Sequence, residues 1–336
     1  MNRYMNISND SYAMLLLCSD LALRNKDSDI KAYTVSQWSK LAERLVQSKL
    51  TPKALFDVST EDIKKKLYLS DNESTRIEKL LSRAGQFGIE LSSLNEKGIF
   101  TLTRSDSDYP VALKNKLKNL APPILYYAGN LSLLSNKGIA IVGSRNIDEA
   151  GLRFTEKISK RCTNDGLNII SGGARGVDSI AENAANKYDG TTVIFVADSL
   201  ENKIRNKDTR EAIMRKQSII VSSFRPNQPF RVYTAMERNK YVYALSNFVV
   251  VVSSDYNKGG TWAGAKENLQ NGWVPMFIRN GDVVTLGNKK LLENKNVYPI
   301  TQEILNDESI NIYDWFSSQV KTIKGPTMNH QISLFE

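Results

Sequence analysis

The chain has 336 residues, 41% of them hydrophobic, with 45 Lys and Arg against 36 Asp and Glu and a net charge of +9. That length allows about two domains and a sizeable core, and the positive charge favours an anionic partner. No apolar run reaches the roughly 18 residues that a membrane span needs. The apolar patch near residue 15 lacks the basic lead-in and cleavage site of a signal peptide. We therefore predict a cytoplasmic protein with no membrane segment.

The cysteine and histidine content excludes several kinds of catalytic site. Cys18 and Cys162 lie far apart in helix-like segments, as expected of buried small hydrophobic residues in a reducing compartment. The single histidine, His330, lies near the C-terminus, which excludes a His-based triad or a His-rich metal site in the core. Since no metal-ligand spacing or nucleophile–base pair is evident either, we predict no metal, no cofactor and no catalytic side chain.

Residues 1–95 predict a small all-helical domain. Val35, Trp38, Leu41 and Leu45 recur at helical spacing, and residues 59–62 (STED) offer a helix cap before the next apolar segment. This region contains no motif that carries chemistry. We interpret it as a partner-binding domain or an accessory DNA-binding domain.

Residues 96–303 alternate between apolar strand-like runs and helix-like segments. The predicted strands of the sheet are 138–143, 167–171, 191–197, 218–222, 247–253 and 274–278, and the predicted helices are 150–164, 175–188, 208–217, 235–245 and 261–271. Near-continuous apolar strands joined by helices indicate a parallel sheet covered on both faces. The predicted fold is therefore α/β, a Rossmann-like doubly wound and mostly parallel sheet. A short helix (304–316) and a flexible tail (317–336) are predicted after it.

Three glycine-containing loops follow predicted strands, at residues 143–145 (GSR), 172–175 (GGAR) and 259–261 (GGT). Ligands of open α/β sheets bind at the carboxyl ends of the strands. Glycine lets backbone N–H groups approach an anion, and Arg145 and Arg175 carry forked donors suited to phosphate. Each loop alone is typical of an ordinary strand–helix turn, but three at one sheet edge predict a phosphate-accepting rim.

The segment 225–233 (RPNQPFRVY) mixes basic and aromatic residues with loop-forming ones. Aromatic side chains beside arginine suit single-stranded nucleic acid, whose bases stack while its phosphates pair with charge. The alternative interpretation is a rigid surface loop.

These motifs together resemble the DprA/Smf family of DNA-processing proteins over about residues 98–300. The resemblance lies in residues 141–145 (IVGSR), 171–178 (SGGARGVD) and 237–240 (ERNK), in that order. It implies a Rossmann-like domain that binds and protects single-stranded DNA in a basic pocket and helps to load a RecA-type recombinase. By position, the DNA-binding residues would be Gly143, Ser144, Arg145, Gly172, Gly173, Arg175, Arg231, Arg238, Asn239, Lys240, Gly260 and Thr261.

The chain also departs from the family pattern. Glu182 stands where the family commonly has histidine, and residues 234–236 (TAM) are inserted before Glu237. Because only 36 residues follow Ile300 in this sequence, we expect it to lack the family's winged helix. These departures indicate a divergent member with a changed partner, for which a DprA-like protein of a mobile element or antiphage system is one candidate. A homodimer is compatible with the sequence.

The rival interpretation is a nucleotide-binding or nucleotide-hydrolysing sensor of the same fold group. Nucleotide phosphoribohydrolases carry a P-G-G-x-G-T-x-x-E loop whose glutamate takes part in catalysis. Here the corresponding stretch 259–267 (GGTWAGAKE) places Glu267 at a different spacing. DNA binding without catalysis is therefore favoured over a nucleotide sensor and over a pure scaffold.

The last residues resemble the pentapeptide by which bacterial proteins bind the replication sliding clamp. That stretch consists of Gln331, Ile332, Ser333, Leu334 and Phe335. The resemblance implies that Leu334 and Phe335 fill an apolar pocket of the clamp while Gln331 makes hydrogen bonds at its rim. The alternative is that this apolar terminus packs on its own domain.

Overall fold

The computed structural model describes residues 7–23, 30–57 and 59–320. The described chain divides into two compact units. The first comprises residues up to Tyr109 together with Lys118–Tyr127, and the second comprises Pro110–Leu117 and the residues from Ala128 onwards.

The first unit is mainly helical, as its amphipathic patterns predict. Its elements are α1 (Asn9–Cys18), α2 (Val35–Gln47), α3 (Ala54–Asp57), α4 (Thr60–Lys66), α5 (Asp71–Ser82), α6 (Ala84–Glu96) and β1 (Phe100–Thr103), which pairs antiparallel with β2 (Ile124–Gly129). Reciprocal capping boxes start α2 at Thr34 and α5 at Ser70. Trp38 and Leu80 are buried in the shared core of this unit.

The second unit contains seven strands whose neighbours all pair in parallel. They are β3 (Gly138–Gly143), β4 (Asn168–Ser171), β5 (Thr192–Phe195), β6 (Ser218–Ser222), β7 (Phe248–Ser253), β8 (Met276–Arg279) and β9 (Val297–Ile300). Their spatial order is β6-β5-β4-β3-β7-β8-β9. Strands β4, β5 and β6 follow one another on one side of β3, and β7, β8 and β9 follow one another on its other side. The topological switch point of the sheet therefore lies between β3 and β7, and the Rossmann-like prediction is confirmed.

Ten helices accompany this sheet in the described part of the second unit. They are α7 (Val111–Leu117), α8 (Glu149–Asn164), α9 (Val177–Lys187), α10 (Leu200–Arg205), α11 (Lys207–Met214), α12 (Val232–Leu245), α13 (Gly259–Asn271), α14 (Leu286–Leu292), α15 (Gln302–Asn306) and α16 (Ile312–Gln319). A buried apolar cluster that includes Ile141, Phe154 and Phe248 joins α8 to the sheet. None of the described helices is long and apolar enough to cross a membrane.

Two predictions for the end of the chain are corrected. The single helix predicted over 304–316 is wrong, because Asp307 accepts hydrogen bonds from Ser309 in a turn that separates α15 from α16. Arg161 stabilises this turn by donating to the carbonyl groups of Leu305 and Asp307. Since α16 extends to Gln319, the tail does not begin at residue 317. The clamp-like residues 331–335 lie outside the described residues.

Candidate nucleic-acid interface

A cleft of about 450 Å³ opens at the carboxyl ends of β3 and β7, at the switch point of the sheet. Its lining is contributed by the loops after β3, β4 and β7, by the loop before α12, and by α9, α12 and α13, all within the second unit. The lining residues are Val142, Gly143, Ser144, Arg145, Asn146, Ala174, Asp178, Phe230, Val232, Ala235, Met236, Arg238, Asn239, Val242, Tyr243, Asp255, Lys258, Gly259, Gly260 and Thr261.

The loops after β3 and β4 pack directly against each other. A Cβ atom on Gly143 would collide with the side chain of Val177 at the start of α9. Gly176 has φ = 81° and ψ = −128°, and a Cβ atom there would lie 2.5 Å from the carbonyl oxygen of Ser144 and 2.6 Å from that of Arg145. These glycines therefore bring the two loops together.

Four backbone amides of these loops already have hydrogen-bond partners within the protein. The N–H groups of Gly172 and Ala174 donate to the Asp178 carboxylate, at 3.0 and 3.3 Å, and that of Gly173 donates to Ser171 Oγ. The Ser144 N–H donates to the carbonyl oxygen of Ser253. The Asp178 carboxylate thus accepts from the Gly172 and Ala174 amides here, and the contact of these amides with phosphate stays a prediction.

Arg238 lies at the floor of the cleft, with its side chain over Gly172. A Cβ atom on Gly172 would collide with Nη1 of Arg238, so the absence of a side chain there makes room for the guanidinium. Burial lowers the pKa of Arg238, and the nearby Asp178 and Glu182 carboxylates oppose this shift. Burial also raises the pKa of Asp178 to about 6 despite the nearby Arg238 charge. The Arg238 charge is thus largely compensated inside the protein.

An ion pair between the buried Glu182 and the half-buried Lys203 lies below the β4 loop and was not predicted. Glu182 accepts a hydrogen bond from Ser171 Oγ at 2.5 Å and lies 3.2 Å from Lys203 Nζ. Asp178 and Glu182 are four residues apart on α9, so both carboxylates project from one face of the helix towards the loop. The four-residue spacing of Asp178 and Glu182 is the sequence signal that could have identified these two carboxylates as facing the loop.

The mouth of the cleft combines charge with exposed apolar surface. The guanidinium carbon of Arg145 lies 5.7 Å from the centre of the Phe230 ring. Phe230 is 49% exposed, and Val232 and Met236 continue the apolar surface along the first turns of α12. An exposed ring beside a guanidinium is suited to stacking against a flat group that carries negative charge nearby.

The third glycine loop places the start of α13 at the cleft. Lys258 is the N-cap residue, and its side chain makes no capping hydrogen bond. Asn239 Nδ2 donates to the Gly260 carbonyl oxygen at 3.1 Å and joins α12 to this loop. An N-terminus of this kind, with a lysine beside it, attracts anions.

The structure brings together only some of the predicted residues. Those that line the cleft are Gly143, Ser144, Arg145, Arg238, Asn239, Gly260 and Thr261, whereas Gly172, Gly173, Arg175, Arg231 and Lys240 do not. Arg175 and Arg231 are exposed, and Lys240 Nζ lies 3.8 Å from Glu237 Oε1 in a pair on α12. Tyr243 and Lys258, absent from the predicted set, are among the cleft residues, as is Phe230 of the predicted basic and aromatic segment 225–233.

The rival nucleotide-hydrolase interpretation depends on Glu267, which is not among the residues that line the cleft. Its pKa is raised by burial, and Lys240 and Glu237 are its charged neighbours. Within the described part of the chain, no group of three His, Cys, Asp or Glu residues is arranged to hold a metal ion.

The raised pKa of Asp178 predicts a specific pH dependence of stability. Between pH values of about 4 and 6 the folded chain holds a proton on Asp178 that the unfolded chain has released, so this group lowers the unfolding free energy as the pH rises through that window. We expect Asp178→Asn to remove this part of the dependence. Melting temperatures of both proteins between pH 4 and 6.5 test it, and parallel curves would contradict the assignment.

The parallel doubly wound sheet and the cleft at its switch point define a Rossmann-like ligand-binding domain. Its sequence agrees with a known family: the profile described as "DNA recombination-mediator protein A" matches residues 100–307, more than half of the chain. The chain therefore belongs to the DprA/Smf family of DNA-processing proteins.

Three known proteins illustrate the relationship. The DNA processing protein DprA of Bacillus subtilis (strain 168) is 29% identical over 184 residues, which are 54% of this chain and 61% of that protein, less than two-thirds of its length. DprA of Streptococcus pneumoniae shares the fold, with a TM-score of 0.64 at 21% identity over 90% of this chain and 99% of that one. DprA of Helicobacter pylori, described for its single-stranded DNA binding mode, gives a TM-score of 0.52 at 25% identity, covering 66% and 94%.

Proposed function

We propose that this protein binds single-stranded DNA in the cleft between β3 and β7. The observation that carries the proposal is the Arg145 guanidinium beside the exposed Phe230 ring, at the mouth of a cleft with apolar walls. A base stacks on or beside the ring, while its phosphates approach Arg145, Lys258 and the start of α13. The description of the Helicobacter pylori relative supports this assignment.

The charge of the second unit supports a polyanionic partner. Residues 110–117 and 128–320 contain 26 Lys and Arg against 20 Asp and Glu. Since Asp178 compensates Arg238, the cations free to meet phosphate at the cleft are Arg145 and Lys258. Electrostatic attraction alone would bind any polyanion, so preference for single strands has to come from the apolar surface.

Strand preference tests this proposal. We expect oligo-dT to bind more tightly than a duplex of equal total charge, because duplex bases are already stacked and cannot use Phe230. Phe230→Ala should weaken oligo-dT binding about tenfold, from a stacking contribution of about 1–3 kcal/mol per base, and leave duplex binding nearly unchanged. Fluorescence anisotropy at fixed salt measures both.

The matched control is Tyr188→Ala, which removes another exposed aromatic ring, at the opposite end of α9 from the β4 loop. We expect this variant to bind oligo-dT like the wild type. Equal affinity of the wild type for single strands and duplex would contradict the proposal and leave only non-specific electrostatics.

Within the family role, we propose that the bound strand is protected and passed to a RecA-type recombinase, and that the chain works as a homodimer. Family membership and the resemblance of its motifs support this finer role. Nuclease protection of a labelled strand tests protection, recombinase assembly on coated strands tests loading, and the molar mass of the chain in solution tests the homodimer. A chain that blocks the recombinase instead of helping it would contradict the loading role.

The terminal pentapeptide supports a separate partner proposal, recruitment to the replication sliding clamp. We expect the full chain to bind purified clamp, and the variant with Leu334→Ala and Phe335→Ala to lose at least tenfold in affinity, because these side chains would fill the clamp's apolar pocket. Lys321→Ala with Lys324→Ala is the control outside the motif. Equal affinity of the wild type, the motif variant and the control variant for the clamp would contradict a role of this motif in clamp binding.

A further inference from the structure

Two buried polar atoms at the cleft have no hydrogen-bond partner among the described residues. They are Nε of Arg238 and the hydroxyl oxygen of Tyr243. Both side chains line the cleft, and they are only 8% and 2% exposed. Buried polar groups in folded proteins are nearly always paired, so each unpaired one requires an explanation.

The two side chains are also held in place. The Arg238 guanidinium is confined between Gly172 and the charge of Asp178. The Tyr243 ring packs against α13, where a Cβ atom on Gly264 would lie 3.1 Å from Cε2. Donors that are already oriented lose little freedom when a ligand arrives, which favours selective binding over adaptable binding.

The chemistry of these two atoms favours a ligand group that accepts hydrogen bonds. Nε of arginine is a donor only, and a tyrosine hydroxyl donates readily. Oδ2 of the nearby Asp178 accepts from the Gly172 and Ala174 amides, and neither Arg238 Nε nor the Tyr243 hydroxyl is hydrogen-bonded to this carboxylate. Around the donors, Val142 and Val242 supply apolar wall. A flat, mostly apolar group with a carbonyl oxygen on its edge fits this environment. The two donors would bind that oxygen directly or through one bound water.

We propose that Arg238 and Tyr243 read the carbonyl oxygen at C4 of thymine or uracil, or at C6 of guanine, so that the cleft prefers these bases to cytosine or adenine, which carry an amino group at the corresponding carbon. This inference rests on the proposed binding of single-stranded DNA. An amino group at the same edge would bring a donor against donors and leave all of them unpaired.

The test compares oligo-dT, oligo-dU and oligo-dC of one length at pH 7.5, which carry equal charge. We expect oligo-dT and oligo-dU to bind about 3- to 10-fold more tightly than oligo-dC, the size of one net hydrogen bond. Oligo-dU separates the keto group from the thymine methyl group. If oligo-dU binds like oligo-dC, or if oligo-dC binds as tightly as oligo-dT, the proposal is overturned.

Tyr243→Phe removes only the hydroxyl group. We expect the variant to lose at least half of the dT/dC preference, measured as the logarithm of the affinity ratio. Its melting temperature should be no lower than that of the wild type, because the hydroxyl has no partner to lose. An unchanged preference, or a clearly lower melting temperature, would contradict the role of this hydroxyl.

The matched control is Tyr241→Phe, on the same helix. Tyr241 is as deeply buried, but its hydroxyl donates to Glu237 and it does not line the cleft. This variant should lose some stability and keep the full dT/dC preference. A chain that binds none of the three oligonucleotides overturns both this inference and the proposed function, whereas tight binding without preference overturns the inference alone.

Discussion

Arg145→Ala is expected to weaken binding of oligo-dT about tenfold at low salt. Arg145 is an exposed cation at the cleft mouth, beside Phe230, and its pairing with one phosphate would release about one condensed counterion. The slope of log affinity against log salt concentration should therefore become shallower by about 0.7. A salt series from 50 to 300 mM, followed by anisotropy, measures both quantities.

Arg175→Ala is the matched comparison, because it removes the same charge from an exposed arginine on the neighbouring loop that does not line the cleft. We expect less than a twofold change in affinity and an unchanged salt slope. Equal losses from the two variants would indicate a diffuse basic surface in place of a defined cleft. If Arg145→Ala bound oligo-dT as tightly as the wild type, Arg145 would not belong to the binding site.

Gly176→Ala is expected to lower the free energy of unfolding by about 3 kcal/mol or more, and to abolish oligonucleotide binding in the fraction that folds. Its backbone combination of φ = 81° and ψ = −128° is essentially restricted to glycine. A Cβ atom would in addition press on the backbone of Ser144 and Arg145, which cannot move without separating the β3 and β4 loops. Urea unfolding measures the loss.

Gly166→Ala separates the two causes. Gly166 also has a positive φ, of 71°, but a Cβ atom there would meet nothing within 4 Å. We expect a loss of about 1 kcal/mol, the cost of a left-handed residue alone, with normal DNA binding. If both variants lost the same stability, the contact between the loops would contribute nothing, and Gly176 would be only a turn residue.

The hydrogen-bond partners of the loop amides could not be predicted from the sequence. The three glycine loops are correctly predicted to follow strands at one sheet edge, because strand ends can be recognised from apolar runs that stop at small residues. Their amides were expected to hold phosphate, yet those of Gly172 and Ala174 donate to Asp178. Local sequence cannot show this, because whether an acidic residue on the following helix turns back to the loop depends on how that helix packs.

The sequence by itself determined that the second unit contains a parallel sheet, and where along the chain its strands, helices and cationic residues occur. The reason is that β-branched runs alternate with amphipathic helices over nearly the whole second unit. Only the tertiary structure decided which side chains share the cleft. Arg238, Asn239 and Lys240 are consecutive, and successive helical residues point about 100° apart. The packing of α12 places Arg238 at the cleft floor and Asn239 against α13, and directs Lys240 to Glu237 instead. The physical reason is that helix rotation is determined by contacts with distant segments, here α13 and the β4 loop, which the α12 sequence does not contain.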